Sequence, residues 1–355
     1  MATQRWIAPE PASPAEETAN AALRPESLDE YVGQADLVER LRIAIEAARA
    51  RTESLDHVLL HGPPGLGKTT IAHVIAREMG SKVHVTSGPA LTRGSDLVGL
   101  LTKVEANDVI FIDEIHRMPA PVEEFIYPAM EDGRIDVAID TGMHAQTVSL
   151  TLKPFTLIGA TTRAGLLSAP LRSRFGITHA LRYYPADDLL RILARSAGLL
   201  SVPAEHDALH SIARRSRGTP RIANRLLRRV RDYAQVRAGG EVSPRSVDEA
   251  LALEGVDRRG LDDLDRRYMT TIATTYRGGP VGLEAVAATM GEDAGTLEDV
   301  VEPFLLQAGL LARTRRGRTL THDAVEVLRT ELRVNVSRIQ LDEPEHDELA
   351  EGQGG

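Results

Sequence analysis

Gly62-Pro63-Pro64-Gly65-Leu66-Gly67-Lys68-Thr69 matches the pattern G-x-x-x-x-G-K-[ST] without a mismatch. Glycines in such a loop let backbone amides curl inward around phosphate oxygens. The helix that follows adds partial positive charge at its N-terminus. Lys68 is therefore expected on the β- and γ-phosphates of a nucleotide, the Thr69 hydroxyl on Mg²⁺, and Gly65, Gly67 and Thr70 around the phosphates. Downstream, Val109-Ile110-Phe111-Ile112-Asp113-Glu114 is an apolar run that ends in two carboxylates. Asp113 is suited to the metal. Glu114 is suited to orient and polarise an attacking water. An acidic pair in place of a lone aspartate favours hydrolysis of ATP over binding alone.

A second apolar run, Thr156 to Ala160, ends in Thr161-Thr162-Arg163. Thr161 stands where a hydroxyl could meet the γ-phosphate or the water. Two further segments offer guanidinium groups for the charge that develops in phosphoryl transfer: Arg172-Ser173-Arg174 beside Phe175, and Arg221 after Gly218-Thr219-Pro220. For either arginine alone, a surface ion pair is the commoner role.

These groups need a scaffold that brings strand ends together. Leu37 to Arg51 has helical spacing, Val58 to Leu60 reads as a short buried strand, and Lys68 to Met79 as a helix. Strands are also expected at Val83 to Thr86, Asp108 to Ile112 and Thr156 to Ala160. Strands alternating with helices predict an α/β domain, a mostly parallel sheet covered on both faces. Past Pro185 the pattern turns helical, with helices at 187–199, 208–215 and 220–238. A last unit follows: helices at 264–275, 281–290 and 296–308, then two short apolar segments around Arg315-Arg316-Gly317. Three helices and a basic hairpin make the winged-helix pattern.

The totals agree with several domains. The chain has 355 residues, against ~150 per domain as a prior. It is 42% apolar and 26% charged, as soluble globular proteins are. No apolar run approaches the ~20 residues of a membrane span, and the first residues carry no signal-peptide pattern. With no cysteine, disulfides and thiolate metal sites are excluded. A cytoplasmic protein with no membrane partner is the expectation. The net charge of −9 argues against a protein that coats DNA, but acids cluster in the tail from Asp342 to Glu351. Local basic clusters can still bind phosphates.

At this point the residues resemble a family. Leu23-Arg24-Pro25, Leu28 to Gln34, His61 to Thr70, Thr86 to Pro89, Phe111 to Arg117, Tyr127 to Asp132, Pro154 to Gly165, Arg217 to Ala234 and Gly278 to Leu283 are similar to RuvB, the AAA+ motor of Holliday-junction branch migration. The likeness runs from about Leu23 to Leu320. It implies an AAA+ core with a helical lid and a winged-helix domain. Composition marks a flexible leader (1–20) and a disordered acidic tail (331–355), between which the division is ATPase domain (21–184), lid (185–255) and winged helix (256–330). The likeness also implies a hexameric ring that hydrolyses ATP with Mg²⁺ to pump duplex DNA, together with a RuvA-like junction-binding partner. Thr161 becomes a first sensor, Arg221 a second, and Arg174 the finger that reaches the next subunit. Leu23, Arg24 and Tyr184 would bracket the base, and Glu131, Asp132 and Gly133 would also lie by the nucleotide. Arg313 and Arg318 would hold DNA phosphates, contacts that carry no sequence information.

Two departures stand out. The family's hairpin carries Gly-Pro and Arg where this chain reads Asp140-Thr141-Gly142-Met143-His144-Ala145-Gln146. That departure falls at the implied RuvA contact and leaves the ATP site untouched. The wing reads Thr314-Arg315-Arg316-Gly317-Arg318 where Thr-Pro-Arg-Gly-Arg is usual, so its basic character survives. Other readings of the same residues are an AAA+ ATPase that remodels proteins, and a DNA-binding nucleotide switch.

Overall fold

The computed structural model describes residues 14–138, 147–337 and 339. The chain forms two compact units, Met1–Ala250 and Leu251–Gly355, which are taken separately.

The first unit is built on five parallel strands: β1 (Val58–His61), β2 (Val83–Ser87), β3 (Val109–Asp113), β6 (Thr156–Thr161) and β7 (Ile177–Ala180). Their order across the sheet is β2-β3-β6-β1-β7. Between β3 and β6 the chain makes a two-stranded antiparallel hairpin, β4 (Arg134–Ala138) with β5 (Thr147–Thr151). Val109 to Ile112 and all of β6 are buried, which is why these strands read as unbroken apolar runs. Leu59, Ile110, Ile112, Leu157, Ile126 and Phe175 belong to one core. Strand β7 is an edge strand whose exposure alternates, and nothing in its four residues announced it.

Helices Ala186–Leu199, His206–Arg215 and Pro220–Arg237 lie where the helical spacing put them. A fourth, Pro244–Leu253, was not expected, and neither was Pro14–Ala21, which makes a short helix inside the segment read as a flexible leader. Residues 1–13, the hairpin tip 139–146 and most of the acidic tail lie outside the described residues.

The second unit opens with helix Asp263–Thr275, whose start is fixed by reciprocal bonds between Asp262 and Asp265. Helix Leu283–Met290 and a helical stretch from Ala294 to Gln307 follow. That stretch is widened by one loose turn at Leu297–Val301. Strands β8 (Leu311–Thr314) and β9 (Gly317–Leu320) then pair antiparallel, and helix His322–Thr330, for which no element was expected, closes the unit. Among the described residues no helix is long and apolar enough to cross a membrane.

One half-buried histidine ties the start of the sheet together. The His57 Nδ1 accepts the Leu157 amide at 2.9 Å, so Nε2 carries the proton and donates to the Met130 carbonyl at 3.2 Å. Burial holds its pKa below the ordinary histidine value. Such a group takes up more protons unfolded than folded below pH ~6.5, so stability is full above that value and falls as pH drops through it. Between pH 7 and 5.5 His57→Gln is expected to lose stability less steeply than the parent, by up to ~1.4 kcal/mol per pH unit. Denaturant melts at stepped pH check this; parallel slopes would remove His57 from the acid response.

Candidate ATP site

Strand β1 runs directly into the glycine loop. Gly62 (φ 137°), Gly65 (φ 79°) and Gly67 (φ 102°) all take left-handed backbone conformations. A Cβ on Gly62 would fall 2.6 Å from the Leu181 carbonyl oxygen, and one on Gly67 would fall 2.9 Å from the Tyr31 hydroxyl. Helix Lys68–Glu78 starts at Gly67 with no side chain capping it. The amides of its first turn, at Lys68, Thr69 and Thr70, are therefore left for an anion. Lys68 folds back on the loop, its Nζ donating to the carbonyls of Gly62 (2.8 Å) and Pro63 (3.0 Å). Burial lowers its pKa, while Asp113 and Glu114 pull the other way. A cradle turned at three glycines, an uncapped helix start, an ammonium and two acids fit a nucleoside triphosphate with a divalent cation.

The register of the sheet gathers the other groups. His61 pairs with Thr161, and Ile112 with Gly159, so β6 ends between the loop and Asp113. Burial raises the Asp113 pKa, with Glu114 adding to the rise and Lys68 opposing it. Glu114 turns the chain with φ 46°, and its amide donates to Asp113 Oδ1 at 3.0 Å. That turn leans on Gly88, where a Cβ would meet the Glu114 carbonyl at 2.4 Å. The Glu114 carboxylate accepts from the Thr162 hydroxyl (3.1 Å) and sits 3.1 Å from His116 Nδ1. The same nitrogen lies 2.8 Å from the Thr161 hydroxyl. Carrying a proton, Nδ1 donates to the carboxylate; bare, its one lone pair accepts from Thr161 and it offers Glu114 no hydrogen. His116 thus links the two groups that the sequence singled out separately.

Arg221 opens helix Pro220–Arg237, and its amide lies 3.5 Å from the Gly65 carbonyl. Its charge is felt by both Lys68 and Asp113. Tyr184 donates to the Leu66 carbonyl at 3.3 Å and shares a hydrogen bond with Tyr31 at 3.0 Å. Its ring lies against Gly33, where a Cβ would come within 2.5 Å. Leu23 is buried, and the carbonyls of Leu23 and Arg24 accept from the Arg195 guanidinium, which also pairs with Glu30. The sequence reading gave no role to Tyr31, Gly33, Gly88, His116, Thr162 or Arg195. Only the folded chain brings them together.

Arg174 is elsewhere. It precedes β7, whose first residue, Ile177, pairs with Val58, the first of β1, whereas the glycine loop follows the last. At roughly 3.3 Å per residue the two ends of β1 are about 10 Å apart, and the loop and Arg174 extend beyond them in opposite directions. Arg174 donates to the Pro170 carbonyl (2.6 Å) and to Glu131 (2.9 Å), and its guanidinium lies 4.2 Å over the Tyr127 ring. It borders a cavity of about 430 Å³ with Asp56, His57, Lys153 and Ser173. Asp132 pairs with Arg134, and Gly133 turns with φ 60°. Glu131, Asp132 and Gly133 therefore lie with Arg174, away from the glycine loop of their own chain. In the second unit Arg313 and Arg318 face each other across the β8–β9 hairpin, both engaged by Glu302, while Arg315 and Arg316 are exposed at its turn.

The glycine cradle, the acids of β3 and the arginine at the lid helix define an ATPase of the AAA+ class. Three profiles carry this further. "Holliday junction DNA helicase RuvB P-loop domain" matches residues 23–181, "RuvB AAA lid domain" 184–257, and "RuvB C-terminal winged helix domain" 258–329. The RuvB subunit of the Holliday junction branch migration complex from Myxococcus xanthus is 57% identical over 302 residues, 85% of this chain and 88% of that protein. Its counterpart from Desulfosudis oleivorans is 57% identical over 303 residues, with the same shares. The solved structure of the Thermotoga maritima RuvB Holliday junction branch migration motor is 51% identical, with a TM-score of 0.78 over 87% of this chain and 98% of that one. The chain belongs to the RuvB family of ATP-binding P-loop ATPases.

Glu114→Gln is expected to keep nucleotide affinity and lower kcat by ~10²-fold or more, the range for a lost general base. His116→Ala should lower kcat by about tenfold with KM little changed, because it removes a partner of Glu114 and not of the phosphates. Steady-state ATPase assays read both. Normal turnover in Glu114→Gln would take that carboxylate out of the reaction.

Proposed function

We propose that the chain is an ATP-driven DNA translocase that moves Holliday-junction branch points in recombination and repair, working as a hexameric ring with a RuvA-like partner. The reading rests on one observation above all. Groups for hydrolysis collect at one end of the sheet, while Arg174 sits at the other with Glu131 beside it. One chain then presents two halves of different sites, and stacking copies head to tail in a closed ring completes each site from two neighbours.

In that site Lys68 and the first-turn amides hold the β- and γ-phosphates. Thr69 and Asp113 hold Mg²⁺, which when bound would draw charge off the phosphate oxygens. Glu114 orients the water and takes its proton as the new oxygen–phosphorus bond forms and the bond from the γ-phosphorus to its bridging oxygen breaks. Thr161 touches the γ-phosphate or the water, and Arg221 the phosphates from the lid side. Arg174 of the neighbouring subunit adds a guanidinium to the charge that develops; its Nε is buried without a hydrogen-bond partner. Leu23, Arg24 and Tyr184 flank the base. The wing arginines grip duplex phosphates without reading sequence. The division at 21–184, 185–255 and 256–330 and a cytoplasmic location belong to the same reading. So does a docking face on the β4–β5 hairpin, where Val148 and Leu150 are exposed two residues apart.

Neither Arg174→Ala nor Lys68→Ala subunits alone should hydrolyse ATP at more than ~1% of the parent rate, the arginine finger being worth ~10³-fold or more. Mixed, they should recover activity at intermediate ratios, because some boundaries then carry both intact halves. No recovery at any ratio would place Arg174 in its own subunit's chemistry. The function itself is read by migration of a synthetic four-way junction. Movement that needs both ATP and a RuvA from the same genome is expected; DNA-stimulated ATPase without such movement would assign the motor another task.

A further inference from the structure

In the second unit two arginines share one carboxylate. Glu302 is fully buried. Its Oε2 accepts from Arg313 Nε at 2.7 Å and from Arg313 Nη2, and its Oε1 accepts from Arg318 Nε at 2.9 Å and from the Tyr268 hydroxyl at 2.5 Å. Arg318 Nη2 reaches Oε2 at 3.4 Å. Burial works against its ionisation, yet the bonds from Arg318, Tyr268 and Arg313 outweigh it and hold the carboxyl below its ordinary pKa. A second acid, Glu298, lies on the outer side: it is half-exposed, and its Oε1 stands 3.7 Å from Nη2 of both arginines, too far for a hydrogen bond.

The two acids are therefore not equivalent. A charge with no access to water cannot lose its partners without large cost, so Glu302 holds each guanidinium by its Nε edge whatever binds outside. The opposite edges keep unspent N–H donors, a fork geometry suited to phosphate. Contacts to Glu298 are long and Glu298 is half-exposed, so an incoming anion can replace them.

We propose that Glu302 is a positioning residue that sets Arg313 and Arg318 as a two-guanidinium clamp for one backbone phosphate of duplex DNA, and that Glu298 is the placeholder that this phosphate displaces. The inference rests on the wing being the DNA grip, as proposed above. It predicts opposite signs for removing the same charge four residues apart.

The full chain is titrated with fluorescent duplex DNA over a series of salt concentrations. Glu298→Gln should tighten binding about threefold at low salt, because one competing anion is gone. Glu302→Gln should weaken it about tenfold although it also removes a negative charge, with the slope of log affinity against log salt unchanged because both arginines remain. Tightening in both variants would mean that Glu302 only masks charge, and would overturn the proposal. Should Glu302→Gln fail to fold, Tyr268→Phe keeps the charge and removes one bond to Oε1; a weaker affinity is expected, and an unchanged one overturns the proposal. Arg313→Ala with Arg318→Ala separates the two readings. Parent-like binding and slope in that double variant would sink the wing as the grip, independently of Glu302. A flatter slope there, by ~1–2, alongside tightening in Glu302→Gln would sink Glu302 alone.

Discussion

Every strand of the main sheet points the same way, and most of what this chain can do follows from that. Parallel strands send their C-terminal ends to one edge, where loops and helix starts present amides and acids. The order β2-β3-β6-β1-β7 then decides which loops are neighbours. With β6 between β3 and β1, the Thr161 hydroxyl lies between the phosphate loop and Asp113, three segments that are far apart in sequence. The opposite edge receives what precedes each strand: Asp56 and His57 before β1, Lys153 to Phe155 before β6, Arg174 before β7. A parallel sheet thus separates hydrolytic groups from Arg174 by the length of its own strands. No side-chain rearrangement within one subunit closes that gap, since the sheet itself would have to break.

The charged groups share a second property. Each has an internal partner that a ligand must replace or leave in place. Lys68 donates to its own loop, Glu114 is held by Thr162 and His116, and Arg174 pairs with Glu131. An isolated buried charge costs several kcal/mol, so these pairings keep the ligand-free site stable. The exchange is easiest where the partner is wet. Glu131 is half-exposed, whereas the Gly62 and Pro63 carbonyls that hold Lys68 are fixed by the loop. A triphosphate that takes Lys68 must therefore offer more than two neutral carbonyls, which a doubly charged phosphate group does.

What could be read from sequence follows the range of the interactions. The phosphate loop is local: glycine conformations, helix start and lysine lie within eight consecutive residues, and the pattern reports them directly. Buried strands β3 and β6 are legible because both faces are covered and the residues between their polar ends are apolar or glycine. Strand β7 has only four residues with alternating exposure at an edge, so no run marks it. The link through His116 was invisible for another reason. It depends on the left-handed turn at Glu114 and on Gly88 making room for it, neither of which leaves a periodic trace.

The wing shows the same limit with greater consequence. Its arginines read as a basic hairpin, and Glu298 and Glu302 fall within the helix expected at 296–308. In a regular α-helix residues four apart share a face, so Glu298 and Glu302 would be expected in similar surroundings. They do share a face, since both approach Arg313 and Arg318, but at different depths: Glu302 is fully buried and Glu298 half-exposed. Depth alone distinguishes two like acids on one face. Charge counting along the sequence gives them equal weight; burial makes their effects on the arginines opposite.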